Sequence, residues 1–290
     1  MATGRAFARA ALAGNPSDGY GGAVLAVAVR DFSAWASVED GAAAGSSPPS
    51  ALVDAAVARF GRGACRVRWG TAVPREVGLA GSSAIVTAVV RALCARHEHP
   101  LDPDELAALV LAVEAEDLGI AAGPQDRYAQ AHEGLVLMDF GGRSPRVRRL
   151  DPELLPPLFL AWRTDVAEPS HATHGGLRAR ADEPGVRAAM ARLADHARAA
   201  AVALRARDRA AFGLALDASF DERRALIELD PRHVAMIDAA RAAGASANYA
   251  GSGGAIVGTL PPEGLEPVAR ALRDVGCEVI APRVGDRLRP

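Results

Sequence analysis

The sequence predicts a two-domain protein of mixed strands and helices, on three observations. The chain has 290 residues, of which 50% are hydrophobic; that is enough for a large core and long enough to divide, because single cores seldom grow much beyond roughly 250 residues. Val- and Ala-rich strand-like runs are interleaved with helical stretches. The chain also closes on a strand, helix and strand, GGAIVGTL, EGLEPVARALRDVG and CEVIAP, a βαβ-like unit. The register of these elements changes near residue 145, which places the two domains at 1–145 and 146–290.

Taken in order, Gly22 to Trp35, GAVLAVAVRDFSAW, reads as a strand pair or a strand with its turn. Residues 41–50, GAAAGSSPPS, are a surface loop by composition, and residues 50–60 are helical. ACRVRWGTAV alternates like a strand, so VPREVGLAGSSAIVTAVV, residues 73–90, lies at a strand-to-helix turn. Beyond it Ile85, Val86, Val89, Val90, Leu93 and Cys94 recur with helical spacing. A second helix opens at LDPDEL, where Asp102 caps, Pro103 fits the first turn and Glu105 completes a capping box. Its buried stripe is Leu106, Leu109, Val110 and Val113, and it ends near Gly119. GPQDRYAQAHEG is a short helix from about Pro124 to just before Gly134, followed by the strand GLVLMDF. In the second half PPLFLAWRT is a strand, Arg187 to Phe220 is a long alanine-arginine helical stretch with breaks, and the glycine cluster GSGG stands at the entrance to the closing unit.

Composition narrows the function. A formal net charge of -2 with interspersed signs offers no basic field for nucleic acid and no polybasic surface for a membrane. The first residues lack a continuous apolar run, and no later segment supplies the ~18 apolar residues of a membrane span, so a cytoplasmic location is expected. Cys65, Cys94 and Cys277 fit neither a disulfide framework nor a zinc site and read as free thiols. All 33 basic residues are arginines. The absence of lysine excludes Schiff-base chemistry and a Walker-type phosphate loop.

Three groups of residues carry candidate chemistry. Gly78, Gly81, Ser82 and Ser83 at the strand-to-helix turn can form a backbone cradle for an anion, strengthened by the helix dipole; a plain serine-capped turn is the alternative. Asp126, in GPQDR, stands at the first turn of a helix, where an aspartate also serves as an ordinary start residue. Glu114 and Glu116 lie late in the preceding helix, where solvated glutamates are common.

In this order the three resemble a known family. PREVGLAGSSAIVTA is similar to the second motif of the GHMP kinases, small-molecule kinases that include galactokinase, homoserine kinase, mevalonate kinase and phosphomevalonate kinase. The family turn is proline-led glycine-leucine-glycine-serine-serine-alanine, and this chain carries one more residue, Ala80, between Leu79 and Gly81. Arg9, Leu12, Gly14 and Asp18 in RAALAGNPSDGYGG match the spacing of the first motif, and Gly251, Ser252, Gly253 and Gly254 match the third. In finer detail GNPSDGYGG, VPREVGLAGSSAIVTA and GIAAGPQDRYAQAHEGLVLMDF resemble the plant-type glucuronokinase branch.

The resemblance implies a two-domain GHMP kinase fold: an N-terminal α+β domain with a left-handed βαβ crossover and a ferredoxin-like C-terminal domain, with the active site in the cleft between them. It implies transfer of the γ-phosphate of ATP to a sugar hydroxyl, in that branch the anomeric hydroxyl of a uronic acid such as glucuronate. A neutral sugar, a hexose or heptose phosphate as acceptor, and a non-catalytic sugar or nucleotide sensor are the alternatives. Pro74, Gly78, Leu79, Ala80, Gly81, Ser82, Ser83 and Ala84 would bind the nucleotide. Ser83, ahead of Ser82, and Glu114 or Glu116 would hold Mg²⁺, which needs few protein oxygens. Asp126 would accept or orient the proton of the acceptor hydroxyl, with Arg9 beside it and the phosphate. Asp18, Gly19, Tyr20, Gly251, Ser252 and Gly253 would face the sugar, Asp18 accepting hydrogen bonds from its hydroxyls. A uronate carboxylate in a partly buried cleft needs a cation, and the candidates are Arg127 or, on the SHATHGGLRAR loop, His171, His174 and Arg178.

Overall fold

A computed structural model describes residues 1–40, 45–63, 65–121, 123–165, 177 and 179–285. The first sheet is built on two long antiparallel strands, β1 (Ala2–Ala13) and β2 (Ala23–Asp40). The segment expected to be a strand pair or a strand with its turn is therefore part of one 18-residue strand. A register shift between Phe7 and Ala8 marks a bulge at residues 30–32 of β2. There Phe32 packs edge-on against Trp162 at 5.2 Å, and the Arg30 amide donates to the Arg283 carbonyl at 2.9 Å.

β1 holds one edge of β2 along its length, while β4 (Cys65–Thr71) and β5 (Leu135–Asp139) share the other edge in succession. β3 (Gly45–Ser47) runs parallel to β4 and is joined to it by α1 (Ala51–Phe60), and β6 (Arg146–Leu150) closes a hairpin with β5. Across this sheet lies α2 (Gly81–Arg96), buried without interruption from Ser83 to Val90. An amphipathic surface helix has one apolar stripe, whereas this one is covered on its outer side too, by α1, α3 (Pro103–Ala112) and α4 (Gln125–His132). The capping box of α3 forms as expected: Glu105 N donates to Asp102 Oδ1 at 2.8 Å and Asp102 N donates to Glu105 Oε2 at 3.0 Å. Beyond Ala112 the backbone widens into a π-helical turn, Val113–Asp117.

The second sheet has the order β10-β7-β9-β8, all neighbours antiparallel, from β7 (Leu158–Trp162), β8 (Ser246–Tyr249), β9 (Ala255–Thr259) and β10 (Glu278–Ile280). β9 and β10 are parallel because β7 lies antiparallel to both, so α8 (Leu265–Asp274) closes a split βαβ unit of the ferredoxin-like kind. The long alanine-arginine stretch is two helices, α5 (Pro184–Arg205) and α6 (Arg209–Leu226), parted by a turn where Asp208 Oδ1 accepts from Ala211 N at 2.9 Å. α7 (Pro231–Ala242), together with β1, β6 and β8, was not expected from the sequence, and neither was β3, which pairs with β4 inside the stretch 41–50 expected to be a surface loop, residues 41–44 of which lie outside the described residues.

The change of sheet falls between Leu150 and Leu158. The β5–β6 hairpin spans residue 145 and lies wholly in the first sheet. The first core runs on through Ala194, Ala197 and Ala201 of α5, which packs against β2.

Candidate active site

The turn before α2 is fixed from three sides. Arg9 N donates to Leu79 O at 3.2 Å, and Gln130 Nε2 donates to Ala80 O at 2.9 Å and to Phe7 O at 3.1 Å. Ala80 is the N-cap residue of α2, in the left-handed region at φ 59° and ψ 42°, with no side-chain cap over the helix. The residue additional to the family turn is absorbed in this cap. The uncapped helix start leaves N–H groups and the positive end of the dipole for a ligand anion. Gly78, at φ +78°, lies directly on the glycine loop at 250–254: a Cβ there would stand 2.8 Å from Gly253 O and 2.8 Å from Ser252 N. The two glycine-rich segments, 173 positions apart in sequence when Gly78 is set against Gly251, thus pack backbone to backbone.

One guanidinium ties the segments together. Arg9, on β1 and buried, pairs with Asp126 Oδ1 through Nη2, and its Nη1 donates to Ala250 O and, at 3.3 Å, to Gly78 O. Asp126 stands in the first turn of α4 with its side chain 20% exposed, and its Oδ2 has no protein partner among the described residues. The aspartate therefore keeps one oxygen toward the cleft while the arginine holds the other.

Of the two candidate glutamates, the π-helical turn directs only Glu114 inward. Glu114 is fully buried, and Ser83 Oγ donates to its Oε2 at 2.9 Å. Arg127 Nε donates to the same oxygen at 2.5 Å, and Arg127 Nη1 donates to Gly123 O at 2.6 Å. Glu116 is 68% exposed and pairs with Arg59 on the surface, which also binds Asp117. Glu116 is thereby removed as a ligand of the cleft. The expectation that Arg127 is free to read a substrate is corrected in part, because its Nε and Nη1 are taken; Nη2 has no protein partner among the described residues, and the residue lines the cleft. Ser83 Oγ and Glu114 Oε1, 3.2 Å apart and buried, are hard oxygens of the kind Mg²⁺ takes, and Ser83 follows Ser82, which lines the cleft, so the donor chemistry fits that ion.

The first-motif residues are placed differently from the expectation. Both Asp18 oxygens are occupied, Oδ2 by Gln125 N at 3.1 Å and Oδ1 by Gln125 Nε2 at 3.0 Å, and the residue is 4% exposed. Burial pushes its carboxyl up to about 6; the Asp126 charge adds to this, while the Gln125 amide and Arg9 oppose it. Tyr20 packs against the small cluster of Leu177, Val186, Met190 and Leu193, and Gly19 is exposed with open space around it. His171, His174 and Arg178 lie outside the described residues.

Several contributors carried no obvious sequence signal. Arg223 of α6 is buried and donates to Gly251 O at 2.7 Å and Ser252 O at 2.9 Å, its guanidinium 4.9 Å from the Tyr249 ring. Burial pulls its pKa down to about 10. Asn15 Nδ2 holds the same loop through Tyr249 O and Gly251 O, both at 3.2 Å. Gln130 alone was findable, since it sits one helical turn after Asp126 on the same face.

These groups surround a cleft with about 530 Å³ of empty space, part of it open to solvent, walled by Arg9, Asn15, Ser82, Gln125, Asp126 and Ser252 among others. An uncapped helix start, a cation-held carboxylate and an inward oxygen pair around one cleft suit phosphoryl transfer, where positioning and charge neutralisation dominate. Residues 50–134 match the family description "GHMP kinases N terminal domain". The chain is 31% identical to the probable glucuronokinase 2 of Arabidopsis thaliana, over 91% of this chain and 85% of that protein. This chain belongs to the GHMP kinase family. The GHMP kinase is also 30% identical to Arabidopsis thaliana glucuronokinase 1, over 91% of its length and 86% of the relative's. Its fold is shared with Streptococcus pneumoniae phosphomevalonate kinase, solved in complex with phosphomevalonate and AMPPNP, at a TM-score of 0.85, 16% identity, and coverage of 98% of this chain and 100% of that one. Among the described residues no helix of this GHMP kinase is long and apolar enough to cross a membrane.

Proposed function

We propose that this GHMP kinase is an ATP-dependent sugar kinase that phosphorylates the anomeric hydroxyl of a uronic acid such as glucuronate. The observation that carries the chemistry is the Arg9–Asp126 pair facing the uncapped start of α2 across the cleft. The acceptor class is supported by the similarity to two glucuronokinases over nine-tenths of the chain.

The backbone N–H groups at Gly81 to Ser83, with the helix dipole behind them, hold the phosphates of ATP. Asp126 Oδ2 takes the proton of the acceptor hydroxyl. The freed oxygen bonds to the γ-phosphorus, the bond from that phosphorus to the β,γ-bridging oxygen breaks, and ADP leaves with the electron pair. Arg9 keeps Asp126 oriented and supplies positive charge near the transferred group, a task lysine cannot perform in this chain. Ser83 Oγ and Glu114 would hold Mg²⁺, which when bound neutralises phosphate charge. Arg127, fixed by Glu114, offers Nη2 to the acceptor carboxylate, where a charge-assisted contact gives more than a neutral one. The free thiols Cys65, Cys94 and Cys277 suit a reducing compartment such as the cytoplasm.

A coupled assay of ADP release over uronic acids, neutral sugars and sugar phosphates tests the reading. Preference for a uronic acid is the expected result; turnover of neutral sugars or sugar phosphates only would remove the uronate assignment, and no turnover of any acceptor would remove the kinase activity.

A further inference from the structure

We infer that Asp18 is a positioning residue for phosphoryl transfer: its carboxylate pins the first turn of α4 and so sets the direction of Asp126, in place of binding the acceptor sugar. This rests on the proposed function only through the role given there to Asp126.

α4 has no cap of its own, because its N-cap residue is Pro124, which supplies no side-chain acceptor. Asp18, on the short helical turn Ser17–Tyr20, fills that place from a distance of 107 positions in the chain, accepting from the backbone and the side chain of Gln125. A charged acceptor at a helix start is stabilised by the dipole as well as by the hydrogen bond. The approach is close enough to demand glycine at position 123, where a Cβ would overlap Asp18 Oδ2. The turn is itself anchored: Ser17 Oγ donates to Ala23 O at 3.0 Å, Gly22 N donates to Ser17 O at 2.8 Å, and α5 packs on it. Gln125 and Asp126 are consecutive, so a shift of the pinned residue moves the aspartate that faces the acceptor. Asp18 is absent from the cleft wall, which Gln125 and Asp126 form.

The charged groups facing Asp18 are Asp126 on α4, Arg9 on β1 and Arg223 on α6. Asp18 makes no salt bridge among the described residues; its carboxylate is held by the two Gln125 hydrogen bonds, with a smaller contribution from its own backbone amide.

Asp18→Asn puts an NH₂ group against one of the two Gln125 donors and removes one bond. Hydrogen exchange and steady-state kinetics are compared for wild type and variant between about pH 5 and pH 8, with ATP and the acceptor that wild type turns over. We expect faster exchange confined to 123–130, kcat lowered by about 10-fold or more, since small misplacements of reacting groups are costly, and KM for the acceptor within about 3-fold of wild type. Unchanged exchange, or an acceptor KM raised with kcat preserved, would each overturn the inference. If Asp18→Asn does not fold, Gln125→Leu removes the side-chain bond alone and should give the same pattern at smaller amplitude, and no change in it would count against the pin. Absence of turnover by wild type is a separate result that ends the proposed function, and the exchange comparison still reads Asp18.

Discussion

Replacing Gly78 with alanine tests the interlock of the two glycine-rich segments. The added Cβ would lie 2.8 Å from Gly253 O and from Ser252 N, both backbone atoms, and the position has φ +78°. A left-handed alanine costs roughly 1–2 kcal/mol, and forcing a group into packed backbone costs roughly 1–3 kcal/mol more. The neighbouring Ala80 already stands at φ 59° with room for its Cβ, so the clash rather than the conformation distinguishes the two sites. A total of about 2–5 kcal/mol corresponds to a fall in Tm of roughly 5–15 °C for a chain of this size. Gly81→Ala is the control, because its Cβ meets only Val73 at 3.5 Å, ordinary contact, at the start of a helix. Thermal melting of the three proteins, with and without an ATP analogue, is the assay. A Gly78→Ala protein melting within about 1 °C of wild type, or a Gly81→Ala protein equally destabilised, would refute the reasoning.

Asp126→Asn should lower kcat by about 10²- to 10⁴-fold while leaving ATP-analogue affinity near that of wild type, measured by calorimetry; near-normal turnover would remove Asp126 from the reaction. Glu114→Gln should raise the Mg²⁺ concentration needed for half-maximal rate by at least about 10-fold, read from a magnesium titration at fixed ATP, and an unchanged requirement would detach Glu114 from the ion. Asp18 has its folded pKa raised from 3.8 to about 6, so the fold favours its protonated form and the group's contribution to stability is lost as pH rises through that window. The loss amounts to up to about 3 kcal/mol. The Tm of Asp18→Asn minus that of wild type should therefore increase between about pH 4.5 and pH 7, and a pH-independent difference would contradict the assignment.

Elements with strong local chemistry were readable from residues alone. Asp102, Pro103 and Glu105 write a capping box that needs no tertiary partner, and α2 declares itself through Ile85, Val86, Val89, Val90 and Leu93. β1 was not readable, because alanines at 6, 8, 10, 11 and 13 blur the alternation that marks a strand, and it is held instead by its partner β2. Within Gly22–Trp35, read as a strand pair or a strand with its turn, the irregularity at residues 30–32 is a bulge in one strand, and its polar residues bind the C-terminal segment: Arg283 N donates to Asp31 Oδ2 at 2.7 Å. In the site, Arg9, Asp126 and Gly78, Ala80 and Ser82 of the turn, distant in sequence, line one cleft. The choice between Glu114 and Glu116 depended on a π-helical turn that ideal helical spacing does not anticipate. Arg127 and Asp18 were assigned outward roles because their partners, Glu114 and Gln125, are set by packing between segments and leave no mark in the local sequence.

The central claim is that this cleft moves the γ-phosphoryl group of ATP to the anomeric oxygen of a uronic acid. The most direct measurement is phosphorus NMR of the product formed from ATP and glucuronate by wild type, beside the Asp126→Asn variant and beside glucose as acceptor. A sugar phosphate linked through the anomeric oxygen is expected, formed with glucuronate in preference to glucose and nearly absent with the variant. Phosphate on another hydroxyl, a preference for glucose, or an undiminished signal from Asp126→Asn would contradict it.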